Sequence, residues 1–268
     1  MNYDKYQYLR VEVDADGICI VTMNRPEVLN AAGGPMHPEL EHIWLDLNED
    51  PRIKAVILTG AGRAFSAGGD LKGMAQRVGT PDNFRHSLKA PANTRRLWQN
   101  MIELQAPLVA AINGDAMGLG CSLALFCDIT VISETARIGD THVKVGLVAG
   151  DGGAVIMPLL VGVAKARDLL MRGRVLTGKE AQEMGLVTHV RRPDQVLPEA
   201  LAIARELAAL PKLAVAWTKL SANKALKNQL NLVIDTSMAY EMLTMNSKDH
   251  AAAVKAFAEK RKPEFKGD

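Results

Sequence analysis

The segments A-F-S-A-G-G-D-L at residues 64–71 and N-G-D-A-M-G-L-G-C-S at residues 113–122 are two glycine-rich loops of similar design. Each follows an apolar run, A-V-I-L-T at 55–59 or L-V-A-A-I at 108–112, and each leads into a helical pattern. Peptide N–H groups of such loops point into a cleft where strands end, which is where α/β layers bind ligands. Two convergent N–H donors stabilise an oxyanion, so the pair predicts chemistry at a carbonyl. For either loop alone, a tight turn between strand and helix is the alternative.

Short β-rich runs alternate with helical patterns up to about residue 190. The predicted strands are 9–13, 18–23, 55–59, 108–112 and 129–132, and a helix is predicted at 36–48. This βα repeat predicts an α/β fold with a parallel sheet covered by helices. Beyond Pro193 the sequence predicts an all-α tail with helices at 199–210, 213–228, 230–246 and 249–261.

Composition is typical of a soluble enzyme. The chain has 268 residues, of which 48% are hydrophobic, enough for one main domain with a large core. A net charge of +2 argues against nucleic-acid or membrane partners. Cys19, Cys121 and Cys127 lie in apolar runs, which indicates reduced core thiols and a cytoplasmic location. The N-terminal residues lack the apolar region of a signal peptide, and glycines and polar residues interrupt the longest apolar stretch, so neither secretion nor membrane insertion is expected.

The order of several motifs resembles that of the crotonase (enoyl-CoA hydratase/isomerase) superfamily. The resemblance begins at N-R-P-E-V-L-N-A (24–31), passes through both glycine-rich loops, and ends at F-A-E-K-R-K-P-E-F (257–265). It implies a crotonase-type ββα spiral core with the active site over residues 1–195. It also implies a C-terminal helical oligomerisation region over residues 196–268 and assembly as a homotrimer or homohexamer. Apolar positions in that region agree with assembly, for example Leu226, Leu230, Val233 and Ile234.

Members of this superfamily hold an acyl-CoA thioester carbonyl between two peptide N–H groups, and the resemblance assigns these groups to Ala67 and Leu119. Coenzyme A is expected only as part of the substrate, with no separate cofactor and no metal. The stretch 73–91 is expected to be an irregular wall of the acyl pocket or a plain surface loop. The residues implied in binding the substrate and its coenzyme A are Arg25, Val28, Ser66, Gly68, Asp70, Lys255 and Lys260.

The chain departs from the hydratases where they carry two catalytic glutamates, because these positions read Ser122 and His142. Without both carboxylates, the usual two-glutamate addition of water is not expected. The chain offers D-T-H at 140–142 and G-D-G-G at 150–153 instead. A histidine near neutrality with a carboxylate on its other nitrogen is general-base machinery, which predicts His142 as the base and Asp151 as its partner. The alternatives are a structural His142 and an Asp151 that caps a helix.

The carbon–carbon-bond hydrolases of the superfamily, which cleave β-diketones, resemble this chain at the same spacing of histidine and aspartate. They add a histidine in the first helix and a glutamate in a C-terminal helix, and the matching positions are His37 and Glu241. Those hydrolases depart from the first oxyanion loop, which this chain keeps as A-G-G-D-L. Solvated helix positions are the alternative for both His37 and Glu241.

Three functions follow from these observations. The leading hypothesis is an enoyl-CoA hydratase-like enzyme that acts on an acyl-CoA thioester through an enolate held in an oxyanion hole, with a His/Asp general base. The second is a hydrolase that cleaves a carbon–carbon bond of a 1,3-dicarbonyl compound. The third, motivated by the loss of both glutamates, is a non-catalytic family member that acts as a binding partner.

Overall fold

The computed structural model describes residues 1–267, which form two sheets surrounded by helices. The larger sheet has the strand order β1-β2-β3-β5-β7-β10. Its first pair, β1 and β2, is antiparallel, and the other neighbours are parallel. Its strands are β1 (Leu9–Val13), β2 (Ile18–Met23), β3 (Ala55–Gly60), β5 (Leu108–Ile112), β7 (Ile129–Ser133) and β10 (His189–Arg191).

The smaller sheet has the order β4-β6-β8-β9, in which β4, β6 and β8 are parallel and β9 is antiparallel to β8. Its short strands are β4 (Ala64–Ser66), β6 (Asp115–Met117), β8 (Arg137–Gly139) and β9 (Leu176–Thr177). Because parallel neighbours end at the same edge, the segments after β4, β6 and β8 emerge side by side.

The helices are α1 (Met36–Glu49), α2 (Leu71–Arg77), α3 (Pro81–Glu103), α4 (Leu119–Leu125), α5 (Gly153–Val161), α6 (Val163–Arg172), α7 (Gly178–Met184), α8 (Val196–Ala209), α9 (Lys212–Met245) and α10 (Lys248–Ala258). Three 3-10 turns lie at Pro26–Val28, His142–Val145 and Pro193–Gln195. No helix within residues 1–267 combines the length and the apolar content needed to cross a membrane.

Both faces of the larger sheet are covered, which explains why its central strands are apolar throughout. All six residues of β3 are buried. Side chains such as Ile57 and Val109 pack against α8, whose Ala200 and Ala204 lie one turn apart on its buried face. The alternate side chains, such as Leu58, join the main core on the other face.

The structure confirms the predicted α/β class, the parallel sheet and the helical tail, with differences in detail. The strands predicted at 9–13, 18–23 and 108–112 have those bounds. The two helices predicted at 213–228 and 230–246 are one helix, α9. The division of the chain at residue 195 stays a prediction, although α8 begins at Val196.

The expectation of an irregular segment at 73–91 is wrong, because this part of the chain forms most of α2 and the first turns of α3. The break between the two helices lies at Gly79, which has a φ of 75°, and α3 then begins with Pro81. Pro91 inside α3 costs on the order of 3 kcal/mol in helix propensity. Burial of Leu97 and Trp98 in the main core offsets that cost.

Candidate active site

Three parallel strand ends of the smaller sheet bring the site together. The chain leaves β4 through the first glycine-rich loop, leaves β6 through Gly118 into α4, and leaves β8 through Asp140 to His142. Side chains from α1, α3 and α9 close the space in front of these ends, forming a cavity of about 280 Å³. Six of the predicted site residues line this cavity: His37, Asp70, Leu119, His142, Asp151 and Glu241.

The imidazole of His142 lies between two carboxylates. Its Nδ1 is 2.7 Å from Asp140 Oδ1, and its Nε2 is 3.1 Å from Asp151 Oδ2. Asp140 Oδ1 also accepts the backbone N–H of His142 at 3.1 Å, which fixes the turn that carries the ring. The carboxylate that orients the ring is therefore Asp140, whereas Asp151 contacts the nitrogen on the opposite side.

The charges around His142 determine its protonation state. Burial alone would lower its pKa, but the carboxylates of Asp140 and Asp151 outweigh burial and raise the pKa of His142 well above its ordinary value. The two carboxylates therefore favour the imidazolium form of the ring, in which each nitrogen carries a proton. A general base requires the neutral ring, which this charge environment disfavours, and the role of His142 as the base stays a prediction. The group with free lone pairs at this point is the Asp151 carboxylate.

The G-D-G-G segment is held between two helices. On one side, the Trp98 indole N–H of α3 donates to the Asp151 carbonyl at 2.7 Å. On the other side, the Ser237 hydroxyl of α9 donates to the Gly150 carbonyl at 2.8 Å. Helix α5 begins with Gly152 at its N-cap, so Asp151 does not cap it. Only glycine fits at Gly153, because a Cβ there would lie 2.1 Å from Asp140 Oδ2.

Ser122 and Glu241 flank the carboxylate of Asp151. The Ser122 hydroxyl is buried in α4 and lies 3.4 Å from Asp151 Oδ1, so it contacts the carboxylate weakly. Glu241 reaches the cavity from α9 and lies against Gly150, and its Oε2 is buried without a hydrogen-bond partner among residues 1–267. Burial first, and then the negative charge of Asp151, raises the pKa of Glu241 to about 8, so its carboxyl group is protonated at neutral pH.

The cluster of Asp140, His142 and Asp151 has the residue types of a metal site, with ligand atoms within 4.8 Å of one another. The two carboxylates, however, contact opposite nitrogens of one ring. An ion bound by Nε2 and Asp151 would face away from Asp140, so the three groups do not converge on one ion. This arrangement fits an ion-paired triad rather than a chelate.

The structure differs from the prediction in one of the two peptide N–H groups assigned to the oxyanion hole. The Ala67 N–H donates to the Leu29 carbonyl at 2.9 Å, so it does not serve an oxyanion. Gly69 lines the cavity instead, and its N–H has no acceptor among residues 1–267. Leu119 also lines the cavity and is the first residue of α4, where helix geometry leaves its N–H without an intrahelical acceptor.

Gly68 brings these two donors together. Its φ is 86°, and a Cβ at this position would lie 2.4 Å from the Met117 carbonyl oxygen and 3.2 Å from Leu119 N. The backbone of the first loop therefore lies directly against the second. Gly69, Leu119 and Asp151 all line one cavity.

His37 on α1 is half-buried and contacts the buried Glu41 beside the cavity. Its Nδ1 is 3.1 Å from Glu41 Oε1, and Glu41 also accepts a hydrogen bond from Arg96 at 3.2 Å. Burial would raise the pKa of Glu41, but the hydrogen bond and charge of His37, together with Arg96, lower it. His37 is therefore a positioned side chain of the cavity wall, rather than a solvated helix residue.

The residues implied in coenzyme A binding divide into two groups. Asp70 lines the cavity and caps α2 by accepting the Gly73 N–H at 3.0 Å, and Gly68 shapes the first loop. Ser66 is buried and donates to the Asn30 carbonyl, so its role here is to hold the loop. Of these residues Asp70 alone belongs to the cavity lining, and four form no hydrogen bond with the two glycine-rich loops within residues 1–267, namely Arg25, Val28, Lys255 and Lys260. Their contact with coenzyme A stays a prediction.

Sequence reasoning missed several residues of the site. The role of Asp140 could have been predicted from the D-T-H spacing, because a carboxylate two residues before a histidine can reach its Nδ1. No motif singled out Trp98, which fixes the Asp151 backbone, or Arg77 and His86, which line the cavity. No sequence signal singled out Gly69 over Ala67.

This chain is similar over nearly its whole length to known proteins. The enoyl-CoA hydratase/isomerase family profile matches residues 14–268. The chain is 34% identical over 264 residues to a probable enoyl-CoA hydratase of Mycobacterium tuberculosis, covering 97% of this chain and 98% of that protein.

Two solved structures are also similar. An enoyl-CoA hydratase/isomerase from Mycobacterium paratuberculosis has a TM-score of 0.88 at 36% identity, covering 94% of this chain and 99% of that one. A β-diketone hydrolase from the cyanobacterium Anabaena was solved with (S)-3-oxocyclohexyl acetic acid. It has a TM-score of 0.82 at 29% identity, and the alignment covers 91% of this chain and 96% of that chain.

Proposed function

Because the chain belongs to the enoyl-CoA hydratase/isomerase family, and so is an enzyme of the crotonase superfamily, we propose that it transfers protons to and from the enolate of an acyl-CoA thioester. The observation that carries this proposal is the pair of N–H donors of Gly69 and Leu119, which lies in one cavity with Asp151 and Glu241. The thioester oxygen accepts both N–H groups, and each such donor is worth about 3–4 kcal/mol to a developing oxyanion in a dry site.

The two carboxyl groups divide the proton transfer between them. Asp151 removes a proton from carbon, or from a water that adds to the substrate, and its electron pair forms the new O–H bond. His142 orients Asp151 through the contact of its Nε2 with Asp151 Oδ2. Glu241, protonated near neutrality, supplies the proton that the enolate carbon receives. Environments that make one carboxyl a base and its neighbour an acid are the usual basis of such a division of roles.

A hydrogen-exchange experiment tests the enolate directly. Incubation of the enzyme with saturated, 2-enoyl and 3-enoyl thioesters in D2O should place deuterium next to the thioester carbonyl, detected by mass spectrometry. Asp151→Asn should remove this exchange. The absence of exchange and of turnover with every thioester would contradict the proposal.

We expect free coenzyme A to bind and to raise the thermal midpoint. Ligand binding to the folded state alone contributes about 2.7 kcal/mol when its concentration is one hundred times the dissociation constant. In a chain of this size, that corresponds to an increase of several degrees. Calorimetry and thermal denaturation measure both effects, with adenosine as the control ligand. No heat of binding at millimolar coenzyme A would shift the preference to a substrate that lacks coenzyme A.

Hydrolysis of a 1,3-dicarbonyl compound is the second candidate function, and His37 is the observation that favours it. Its imidazole lines the same cavity as Glu241, with Glu41 behind it. The chain is also structurally similar to a β-diketone hydrolase. A cyclic β-diketone, supplied without coenzyme A, separates the two functions. Its cleavage to a keto acid, lost in His37→Gln, would favour this second function.

We propose a trimer or hexamer, as the resemblance implies, although the apolar residues first cited for it pack elsewhere. Leu230 and Ile234 are buried in the core of their own chain, and Leu226 and Val233 are packed against it. The exposed apolar side chains of the C-terminal region are others, among them Leu213, Trp217, Leu232 and Leu243.

Light scattering at micromolar concentration should therefore give three or six times the chain mass of 29.0 kDa. A replacement of Leu232 by Glu should lower the measured mass, whereas Glu183→Gln, a surface control, should not. A monomer mass for the native protein would count against assembly.

A further inference from the structure

The cavity has a positively charged end that the proposed proton transfer does not use. Arg77, the last residue of α2, and His86 of α3 both line it. The Arg77 Nε is buried without a hydrogen-bond partner among residues 1–267. Asp70, at the opposite end of α2, directs its carboxylate to the helix N-terminus instead of pairing with Arg77. A guanidinium group with unsatisfied donors is thus available to an anion in the cavity.

The charges at this end act on one another. Partial loss of water contact, and then the positive charges of Arg77 and His37, lower the pKa of His86. Arg77 and His86 therefore lie close enough for the guanidinium charge to act on the imidazole. An anion bound there would meet a guanidinium and would favour protonation of His86, which adds a second donor.

Helix α3 shows how far this region is from the proton-transfer groups. The cavity-lining residues of α3 are His86, Ala90, Asn93 and Thr94, which form one stripe along the helix. The next turn carries Trp98, whose indole contacts the Asp151 carbonyl. At a rise of about 1.5 Å per residue, His86 lies about 18 Å from Trp98 along the helix axis. His86 is thus separated by more than three turns of α3 from the residue that contacts Asp151.

The wall between the two ends is apolar and adaptable. It includes four methionines, Met74 of α2 and Met238, Met242 and Met245 of α9. Methionine side chains are flexible and accommodate alkyl chains of varied shape. A ligand that fits this cavity has a polar reacting group at one end, an apolar chain in the middle and an anionic group at the far end.

We propose that the acyl group of the substrate ends in a carboxylate, which Arg77 and His86 bind. The substrate class is a monothioester of a dicarboxylic acid with coenzyme A. This inference rests on the proposed function, because the thioester oxygen must lie at Gly69 and Leu119. The same cations would also attract a phosphate group of coenzyme A, so the experiment includes ligands that separate a terminal carboxylate from a phosphate.

The test compares two 2-enoyl thioesters of matched chain length, one with a terminal carboxylate and one with a terminal methyl group. The native enzyme should prefer the carboxylate. Arg77→Gln should lower kcat/KM for it by roughly 10–100-fold, as expected for losing a charge-assisted hydrogen bond. The same variant should lower kcat/KM for the methyl substrate far less, because that substrate has no carboxylate for Arg77 to bind. Arg77→Lys should retain part of the preference, and Arg85→Gln, which removes an exposed arginine of α3, should have no effect.

Each other outcome has a definite meaning. An equal loss on both substrates, with weaker binding of free coenzyme A, would assign Arg77 to a phosphate and overturn the proposal. A native preference for the methyl substrate would also overturn it. Calorimetry measures the binding of both thioesters to the native protein and to Arg77→Gln. This measurement tests the subsite even if neither thioester is turned over. If no thioester reacts but the carboxylate form binds more tightly through Arg77, the subsite stands and only the proposed reaction fails.

Discussion

Asp151→Asn is expected to lower turnover of an acyl-CoA substrate by roughly 10²–10⁴-fold, with little change in substrate binding. The Asp151 carboxylate faces the cavity, and His142 Nε2 contacts its Oδ2 at 3.1 Å. An amide in its place cannot accept a proton from carbon or balance the charge of the imidazolium. Single-turnover kinetics, combined with calorimetric binding of the same thioester, separate a loss of rate from a loss of affinity.

The controls follow from the contacts of the triad. Asp168→Asn, which changes a surface carboxylate paired with Arg172 and Arg174, should keep full activity. The double replacement of Asp151 and His142 should be scarcely worse than Asp151→Asn alone, because groups that act as a unit are not additive. Ser122→Ala should cost less, since its hydroxyl contacts Asp151 only weakly. Near-full activity of Asp151→Asn, with Ser122→Ala inactive, would contradict these roles.

The pH dependence separates this assignment from a neutral histidine base. A neutral base at His142 would give a rise in rate near pH 6.5, where an ordinary imidazole loses its proton. The flanking carboxylates raise the pKa of His142 well above that value, so we expect no such step. Histidine would be favoured as the base if the rate of the native enzyme increased through pH 6.5 and that of Asp140→Asn did not.

The strands were predictable because burial on both sides of a sheet leaves a plain signal. Strands β2 and β5 are apolar runs bounded by polar or turn residues, and their bounds match the prediction. A helix directly after the first glycine-rich loop was expected, and α2 begins there, but the helical structure of residues 81–91 in α3 was not predictable in this way. Gly79 and Pro91 are helix breakers locally, and the helix around Pro91 is stabilised by packing of distant residues against Trp98. Local sequence does not contain that contribution.

The site was predictable in its membership but not in its roles. Motif positions identified His142, Asp151 and Glu241, and the structure places all three in one cavity. Which carboxylate meets which ring nitrogen depends on the orientation of the imidazole, which the hydrogen bonds of Asp140 set in three dimensions. Likewise, the choice between two neighbouring N–H groups depends on the left-handed backbone of Gly68, which no residue spacing reveals.

Glu241→Gln is expected to lower turnover by roughly 10²–10³-fold near neutral pH, because glutamine keeps the shape of the side chain but cannot donate a transferable proton. In the native enzyme, turnover should decline as the pH rises through about 8, where Glu241 loses its proton. A pH–rate profile of both proteins measures this. An alkaline decline that persists unchanged in the residual activity of Glu241→Gln would show that another group is responsible.

The same replacement should stabilise the fold, and by an amount that depends on pH. A glutamate ionises near pH 4.5 in the unfolded chain, whereas buried Glu241 keeps its proton until about pH 8. Below pH 4.5 the Glu241 carboxyl group is protonated in both states, and the folded state keeps its full stability. As the pH rises from 4.5 to about 8, the unfolded chain loses this proton before the folded protein does, so the free energy of unfolding decreases. Each tenfold change in proton affinity corresponds to about 1.4 kcal/mol, so the loss is on the order of a few kcal/mol.

Glutamine is neutral in both states and has no such dependence. The thermal midpoint of Glu241→Gln, measured relative to the native protein, should therefore increase between pH 5 and pH 8 and stay constant above. Glu183→Gln, at an exposed position of α7, provides the matched control and should show no pH-dependent difference. A midpoint difference for Glu241→Gln that is the same at pH 5 and pH 8 would mean that Glu241 ionises normally in the folded protein, and it would remove Glu241 as the proton donor.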